Sequence, residues 1–181
     1  MTRPALPVLG FVAPSGSGKT TLIRRLLPCL KAHGLRVGYL KHAHHTFDLD
    51  RPGKDSHAIR AAGAEQTLLV SRERWALQVE HRGGQDPDLW SMLARFPAGT
   101  LDLVLAEGFK HAAYPKIEVY RAVRGEPPLY PHDPEIVAVA TDVALPAAGR
   151  LPLLPLDDPA AVADFVLATV LGRAAGVTAR R

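Results

Sequence analysis

A glycine-rich segment between an apolar run and a helical pattern is the feature that most constrains the fold of this chain. Residues 13–20 read Ala-Pro-Ser-Gly-Ser-Gly-Lys-Thr, which matches the phosphate-loop pattern G-x-x-x-x-G-K-[ST] everywhere except at Ala13, where the pattern has glycine. An apolar run over 6–13 comes before it, and residues 20–33 follow with apolar side chains at helical spacing. The segment therefore predicts a strand, a phosphate-binding loop and a helix.

The backbone of this loop contributes to phosphate binding together with its side chains. Two glycines let successive N–H groups turn toward phosphate oxygens, and the following helix adds the positive end of its dipole. The lysine would reach the β and γ phosphates, and the first threonine hydroxyl would hold Mg²⁺. The predicted nucleotide-binding residues of the loop are Gly16, Ser17, Gly18, Lys19, Thr20 and Thr21. The alternative is a glycine-rich turn that contains Lys-Thr by chance.

The composition is that of an ordinary folded domain. Of the 181 residues, 47% are apolar and 22% are charged, which argues against a disordered or fibrous chain. Cys29 is the single cysteine, and Met-Thr-Arg-Pro at the start lacks the apolar core of a secretory signal, so we expect a cytoplasmic protein. No apolar run is long enough for a membrane span. We expect one domain over 1–181 with a frayed basic tail at 173–181.

The charge of the chain does not indicate a nucleic-acid partner. Together, 22 lysine and arginine residues oppose 18 aspartate and glutamate residues, and the formal charge of +4 is compatible with anionic ligands without identifying one. Aromatic residues make up 6% of the chain and do not alternate with basic ones, so a stacking platform for bases is missing. We therefore expect no nucleic-acid partner.

The apolar periodicity predicts strands that alternate with helices. Predicted strands cover 35–41, 66–70, 75–79, 101–106, 116–120 and 135–140, and predicted helices cover 55–62, 86–96 and 160–171. The strands at 66–70 and 75–79 form a predicted β-hairpin, and 121–134, with four prolines, is a predicted loop. The fold class is therefore α/β: a three-layer sandwich of the P-loop NTPase type, with a mostly parallel sheet and a hairpin insertion.

A glutamate at the end of a predicted strand is the first candidate for metal binding and catalysis. Glu107 follows the strand at 101–106, so it would lie at the carboxyl edge of the sheet, in the same crevice as Thr20. A carboxylate there can bind Mg²⁺ directly or through water, or activate a water molecule. The alternative is a solvated residue in a turn, because many strands end in a charged residue and glycine.

A histidine- and aspartate-rich segment follows the strand at 35–41. Lys41, with a histidine among His42, His44 and His45, is a candidate for contact with an anion, and Asp48 or Asp50 for binding Mg²⁺ through water. Zinc is less well supported, because no cysteine partner and no helical H-x-x-x-H spacing is present. A plain polar loop is the other alternative.

An aspartate after the strand at 135–140 is a candidate for contact with a base. Phosphate-loop proteins that bind guanine place an aspartate there to accept two hydrogen bonds from the base, and Asp142 follows Thr141 at that point. The full Asn/Thr-Lys-x-Asp pattern is absent, so a turn or helix-capping role for Asp142 is the alternative.

Four segments together carry a family resemblance. They are the phosphate loop through Thr21, the run Leu40-Lys41-His42-Ala43-His44-His45 with Asp48-x-Asp50-x-Pro52-Gly53-Lys54-Asp55-Ser56, Ala62-Gly63-Ala64, and Ala106-Glu107-Gly108-Phe109-Lys110. On these residues the chain resembles the molybdopterin-guanine dinucleotide biosynthesis protein B (MobB) family. The second segment is the specific one, because phosphate loops occur in many families.

The resemblance implies a function for the whole constellation. It implies a homodimeric protein that binds GTP with Mg²⁺, hydrolyses it slowly, and helps a partner guanylyltransferase to attach GMP to molybdopterin. The segment from Lys41 to Asp50 would then sense the γ phosphate or the phosphate of the pterin, with Glu107 and Asp50 as the catalytic candidates and Thr20, Glu107 and Asp48 as the metal ligands.

Two other functions remain as alternatives. One is an ATP-dependent small-molecule kinase, in which Arg121 and Arg124 would form a lid and Asp48 or Asp50 would act as the base. The other is a nucleic-acid-dependent ATPase, which has only the mild positive charge in its favour.

Overall fold

The structure is a computed structural model and describes residues 6–43, 47–81, 86–145, 148–149 and 151–172. Contacts divide the chain into two compact units: Met1–His42 with Asp88–Arg181, which we name the sheet unit, and Ala43–Pro87, which we name the hairpin unit. The expectation of a single domain stays a prediction. The predicted basic tail at 173–181 lies outside the described residues.

The sheet unit is built on six parallel strands. The strands and α-helices of the described residues are β1 Val8–Val12, α1 Lys19–Ala32, β2 Val37–Lys41, α2 Asp55–Ala61, β3 Gln66–Val70, β4 Trp75–Val79, α3 Leu89–Leu93, β5 Leu103–Glu107, β6 Lys116–Tyr120, β7 Ile136–Thr141, β8 Leu153–Pro155 and α4 Pro159–Phe165. The sheet order is β2-β5-β1-β6-β7-β8, and each neighbouring pair is parallel. The carboxyl ends of these strands therefore share one edge, where ligands bind in such folds.

Helices cover both faces of this sheet, so the predicted α/β sandwich on a mostly parallel sheet is confirmed. On one face α1 and α4 pack against alternate residues of the strands, such as Leu9 and Leu105. On the other face, Leu89 and Leu93 of α3 pack against Val8 and its neighbours. Among the described residues, no helix combines the length and the apolar character of a membrane span.

A glycine in β1 makes room for a buried tyrosine on the α3 face. A Cβ added to Gly10 would lie 2.7 Å from the Tyr114 hydroxyl oxygen and 2.8 Å from two of its ring carbons. Tyr114 is 2% exposed, so the ring has no open space into which it could shift. Burial raises the pKa of Tyr114 to about 12. Glycine at this point of β1 is therefore a packing requirement.

The structure differs from the sequence-based expectation in three elements. The helix predicted at 86–96 is only Leu89–Leu93, with the Asp88 carboxylate capping its first turn at Ser91 N–H. The helix predicted at 160–171 is α4 followed by a π-helical turn over Val166–Val170. Strand β8, Leu153–Pro155, was not predicted from the sequence. It lies at the edge of the sheet that the described strands form, and proline is tolerated in an edge strand because such a strand has a ladder partner on one side only.

The hairpin unit contains α2 and the antiparallel pair β3-β4. The hairpin predicted at 66–70 and 75–79 is confirmed with the same bounds. Its turn closes through Ser71, whose N–H donates to the carbonyl of Arg74 at 2.8 Å. Period-two alternation and a short polar connection are local signals, which is why the sequence alone predicted this element.

Candidate functional site

The predicted phosphate loop lies between β1 and α1 at the carboxyl edge of the sheet. Gly16 and Gly18 have φ of 76° and 94°, in the left-handed region that side chains other than glycine rarely adopt. Gly18 is the N-cap of α1 and brings no side-chain oxygen to the first turn, and no acidic residue is present in that turn. The N–H groups at the start of this 14-residue helix are therefore left for an anionic ligand.

The lysine of the loop binds the loop itself. Lys19 Nζ donates to the carbonyl oxygens of Ala13 and Pro14 at 2.8 and 2.9 Å. An ammonium group has three N–H donors, so two shape the loop and one is left for a phosphate oxygen. Burial lowers the pKa of Lys19, and the nearby Glu107 carboxylate acts in the opposite direction. A phosphate would act in the same direction as Glu107.

Glu107 ends β5 beside both β1 and β2, at the edge where the sequence predicted it. Its register partners are Phe11 of β1 and Lys41 of β2, and only 4% of its surface is exposed. The Tyr39 hydroxyl donates a hydrogen bond to Glu107 Oε2. Burial first, and then this carboxylate, raise the pKa of Tyr39. The hydrogen bond from Tyr39 thus orients the Glu107 carboxylate. The two residues are 68 positions apart, and no sequence motif indicated this contact.

The side chains that could hold Mg²⁺ are few, which suits a metal bound mainly by nucleotide phosphates and water. Thr20 is exposed in the first turn of α1, and Glu107 lies at the neighbouring strand end. Within the described residues, no group of three or more histidine, cysteine, aspartate or glutamate side chains could hold a metal ion by itself. The oxygen donors of this edge fit Mg²⁺, and the metal-binding roles of Thr20 and Glu107 stay predictions.

The structure describes only some of the candidate anion-binding residues at the end of β2 and after it. His42 N–H donates to the carbonyl of Glu107 at 2.9 Å, and the His42 ring stacks on Phe109 with 5.2 Å between centroids. Gly108, with φ 93°, has no room for a side chain, because a Cβ would lie 2.5 Å from the His42 carbonyl oxygen. Lys41 and His42 are therefore held against the turn after Glu107. His44 and His45 lie outside the described residues.

Asp48 and Asp50 belong to the hairpin unit and are engaged there. The Asp48 carboxylate accepts hydrogen bonds from the Arg60 guanidinium and from Asp50 N–H, and lies 3.7 Å from His57 Nε2. The Asp50 N–H contributes most to lowering the pKa of Asp48. Asp50 Oδ1 accepts from Arg51 N–H at 2.9 Å. The metal-binding role of Asp48 and the catalytic role of Asp50 stay predictions.

The loop after β6 brings two arginines to the phosphate loop. Arg124 Nη2 donates to the carbonyl of Ser15 at 2.9 Å. Arg121 Nη1 donates to Asp142 Oδ2 at 3.2 Å, so the candidate guanine-binding carboxylate is paired with an arginine. The role of Asp142 in binding guanine stays a prediction. Contact with a base requires the Asp142 carboxylate either to bind the base and Arg121 together or to lose its hydrogen bond with Arg121.

A buried glutamate anchors this loop to the sheet. Glu118 of β6 is 1% exposed and accepts hydrogen bonds from the N–H groups of Leu129 and Tyr130 at 2.7 and 2.8 Å. Burial raises the pKa of Glu118, and these two hydrogen bonds act against it. Sequence reasoning did not select Glu118. The signal was present in β6, Lys-Ile-Glu-Val-Tyr, whose charged residues alternate with apolar ones and occupy one face.

Comparisons with known proteins agree with one another. A family model described as molybdopterin guanine dinucleotide synthesis protein B (MobB) matches residues 8–142. The molybdopterin-guanine dinucleotide biosynthesis adapter protein of Escherichia coli is 44% identical over 166 residues, covering 91% of this chain and 94% of that protein. The adapter protein of Haemophilus influenzae is 38% identical over 161 residues, covering 89% and 88%. The crystal structure of Bacillus subtilis MobB matches with a TM-score of 0.70 and 27% identity, covering 91% of this chain and 98% of that one.

Proposed function

Because the chain belongs to the MobB family, we propose that it is a GTP-binding accessory protein in the biosynthesis of the molybdenum cofactor, where it assists a guanylyltransferase. The relatives are named adapter proteins of molybdopterin-guanine dinucleotide biosynthesis, which supports an accessory role. The partner in this proposal is the enzyme that transfers GMP to molybdopterin. The protein acts as a homodimer.

The observation that carries the nucleotide part of the proposal is the geometry of the phosphate loop. Left-handed glycines, an α1 N-terminus without an acidic side chain, and the Lys19 ammonium held at the mouth of the loop all favour a polyphosphate. Together they supply pre-positioned N–H donors, the positive partial charge of a helix N-terminus and the full charge of an ammonium group, so little reorganisation is needed on binding. Mg²⁺ would neutralise charge between the β and γ phosphates when bound.

The remaining residues of the edge orient the nucleotide and water. Thr20 supplies a hydroxyl to the metal, and Glu107, oriented by Tyr39, accepts a proton or a hydrogen bond from a water beside the γ phosphate. Among the described residues of the sheet unit, Glu107 is the buried carboxylate that we assign to this purpose, and hydrolysis in this proposal is slow. The Asp142 carboxylate accepts hydrogen bonds from the guanine base, and its hydrogen bond with Arg121 breaks when the base binds.

A calorimetric titration of the pure protein with Mg-GTP, and separately with Mg-ATP, tests the proposal. The informative variant is Lys19→Ala, which removes a charge-assisted phosphate contact and should weaken GTP binding about ten- to a hundredfold. Lys31→Ala is the matched control, because Lys31 is an exposed lysine in the last turn of the same helix. The control should bind GTP as the wild type does.

The outcomes separate the candidate functions. Tighter binding of GTP than of ATP, lost in Lys19→Ala and kept in Lys31→Ala, supports the accessory function. A preference for ATP, with ADP formed only when a small-molecule acceptor is added, supports the kinase alternative instead. Equal nucleotide affinity in wild type and Lys19→Ala contradicts the assignment of the phosphate loop. For the partner, GTP-dependent co-elution with a molybdenum cofactor guanylyltransferase is the expected result.

A further inference from the structure

We propose that Arg124 is a ligand of the terminal phosphate, supplied by the same chain and used to distinguish the triphosphate from the diphosphate. The inference rests on the proposed binding of GTP and adds a specificity-determining residue to it. It comes from a segment without a recognisable motif, the proline-rich loop at 121–134. We name the part of this loop from Arg121 to Tyr130 the arginine loop.

The first argument is where the Arg124 guanidinium lies. Its Nη2 donates to the carbonyl of Ser15, and its Nη1 lies 3.2 Å from the position that a Cβ of Gly16 would occupy. Lys19 Nζ contacts the carbonyls of Ala13 and Pro14, the two residues just before Ser15. The two cationic side chains thus bind the carbonyl oxygens of consecutive residues in one turn. Because a phosphate-loop lysine reaches the β and γ phosphates, Arg124 lies on the side of the loop where these two phosphates would bind.

The second argument is that Arg124 keeps donors for a ligand. A guanidinium carries five N–H groups in a planar fork, and the Ser15 carbonyl uses one of them. The ion pair with Glu126, at 3.6 Å, joins groups that are 39% and 40% exposed, and such pairs are weak. A phosphate that carries two or more charges is a better partner than either, because it accepts two parallel N–H bonds.

The third argument is that the backbone under Arg124 is fixed. Residues Ala122–Arg124 form one 3₁₀ turn, closed by Gly125 N–H on the Ala122 carbonyl at 3.0 Å. At its other end the arginine loop is held to β6 by the Glu118 carboxylate through two backbone N–H groups. Because this backbone is already ordered, binding of a phosphate by Arg124 adds only the cost of fixing its side chain.

The other arginine of this loop, Arg121, contacts a different part of the phosphate loop, and for this reason we assign the γ phosphate to Arg124. Arg121 Nε lies 3.6 Å from the Cβ position of Gly18, at the start of α1, and its guanidinium is paired with Asp142. That places it at the end of the loop away from Ser15, on the side of the inner phosphates and the base. Discrimination between triphosphate and diphosphate is therefore expected from Arg124 and not from Arg121.

The test compares affinities for a non-hydrolysable GTP analogue and for GDP, both with Mg²⁺, by calorimetry. Arg124→Ala should weaken binding of the analogue about ten- to a hundredfold and binding of GDP by less than about threefold. Arg124→Lys keeps the charge without the fork, so it should lie between wild type and Arg124→Ala. Arg95→Ala, at an exposed arginine after α3, is the control and should match the wild type for both nucleotides.

The results separate this inference from the function on which it rests. A loss confined to the triphosphate analogue supports the role of Arg124. Equal weakening of both nucleotides means that Arg124 only holds the loop, and no change for either means that it does not touch the ligand. Both results overturn the inference while GTP binding by the wild type stands. If the wild type binds neither nucleotide, the proposed function itself fails, and the inference with it.

Discussion

Removing the carboxylate of Asp133 should cost far more stability than removing the ammonium of Lys116, although the two changes break the same ion pair. Lys116 Nζ lies 3.0 Å from Asp133 Oδ2. The lysine side chain is only 2% exposed, whereas that of the aspartate is 24% exposed. Water can therefore solvate the aspartate when it is left alone, but it cannot solvate the lysine.

The magnitudes follow from these exposures. Asp133→Asn keeps an oxygen for the N–H of Glu135 but leaves a buried ammonium whose other described contact is the Tyr114 ring at 5.2 Å. An uncompensated buried charge costs about 3–5 kcal/mol. Lys116→Met fills the same volume with an apolar chain and leaves a carboxylate that water can reach, so its cost should be about 0–2 kcal/mol.

Urea denaturation of the two single variants and the double variant measures these differences in the free energy of unfolding. The double variant should be about as stable as Lys116→Met, because the buried charge is absent from both. The reasoning is refuted if Lys116→Met destabilises as much as Asp133→Asn, or if the double variant is the least stable of the three. Either result would mean that the burial of the lysine does not set the cost.

Two further predictions concern β1 and the phosphate loop. Gly10→Ala should lower the free energy of unfolding by about 1–3 kcal/mol in urea denaturation, because its methyl group would overlap the buried Tyr114 ring; a cost below about 0.5 kcal/mol would contradict this packing. Binding of GTP at alkaline pH should take up protons, because burial lowers the pKa of Lys19 in the free protein and a bound phosphate raises it. Calorimetry in buffers of different ionisation enthalpy measures this uptake, which should be missing in Lys19→Ala and should be accompanied by weaker binding as the pH rises further.

Local sequence signals were sufficient for much of the fold. The β1-loop-α1 unit, the hairpin at 66–70 and 75–79, and β6 each carry their own periodicity or turn residues, so their bounds could be predicted within a few residues. The elements that were missed depend on their surroundings. Among the described strands, β8 pairs with β7 alone, and it has proline at its last position, so its own sequence does not distinguish it from a loop.

The candidate site divides in the same way. Lys19 and Glu107 could be located because a motif and a strand end specify them. The contacts of Tyr39 with Glu107 and of Arg124 with Ser15 join residues 68 and 109 positions apart. No local spacing encodes such pairs, since they exist only after the parallel strands have brought their carboxyl ends to one edge.

The charged face of β6 connects the stability of the sheet unit with its candidate site. Lys116 and Glu118 lie on one face of this strand, where apolar residues would be the simpler choice for burial. Both bind the segment that follows: the lysine through Asp133, and the glutamate through the N–H groups at 129 and 130. An apolar face would fill the same space without fixing a loop that has no strand or α-helix of its own. Burying these two side chains costs desolvation free energy, but their hydrogen bonds fix the backbone of the loop after β6. Arg124, which contacts Ser15, belongs to that loop.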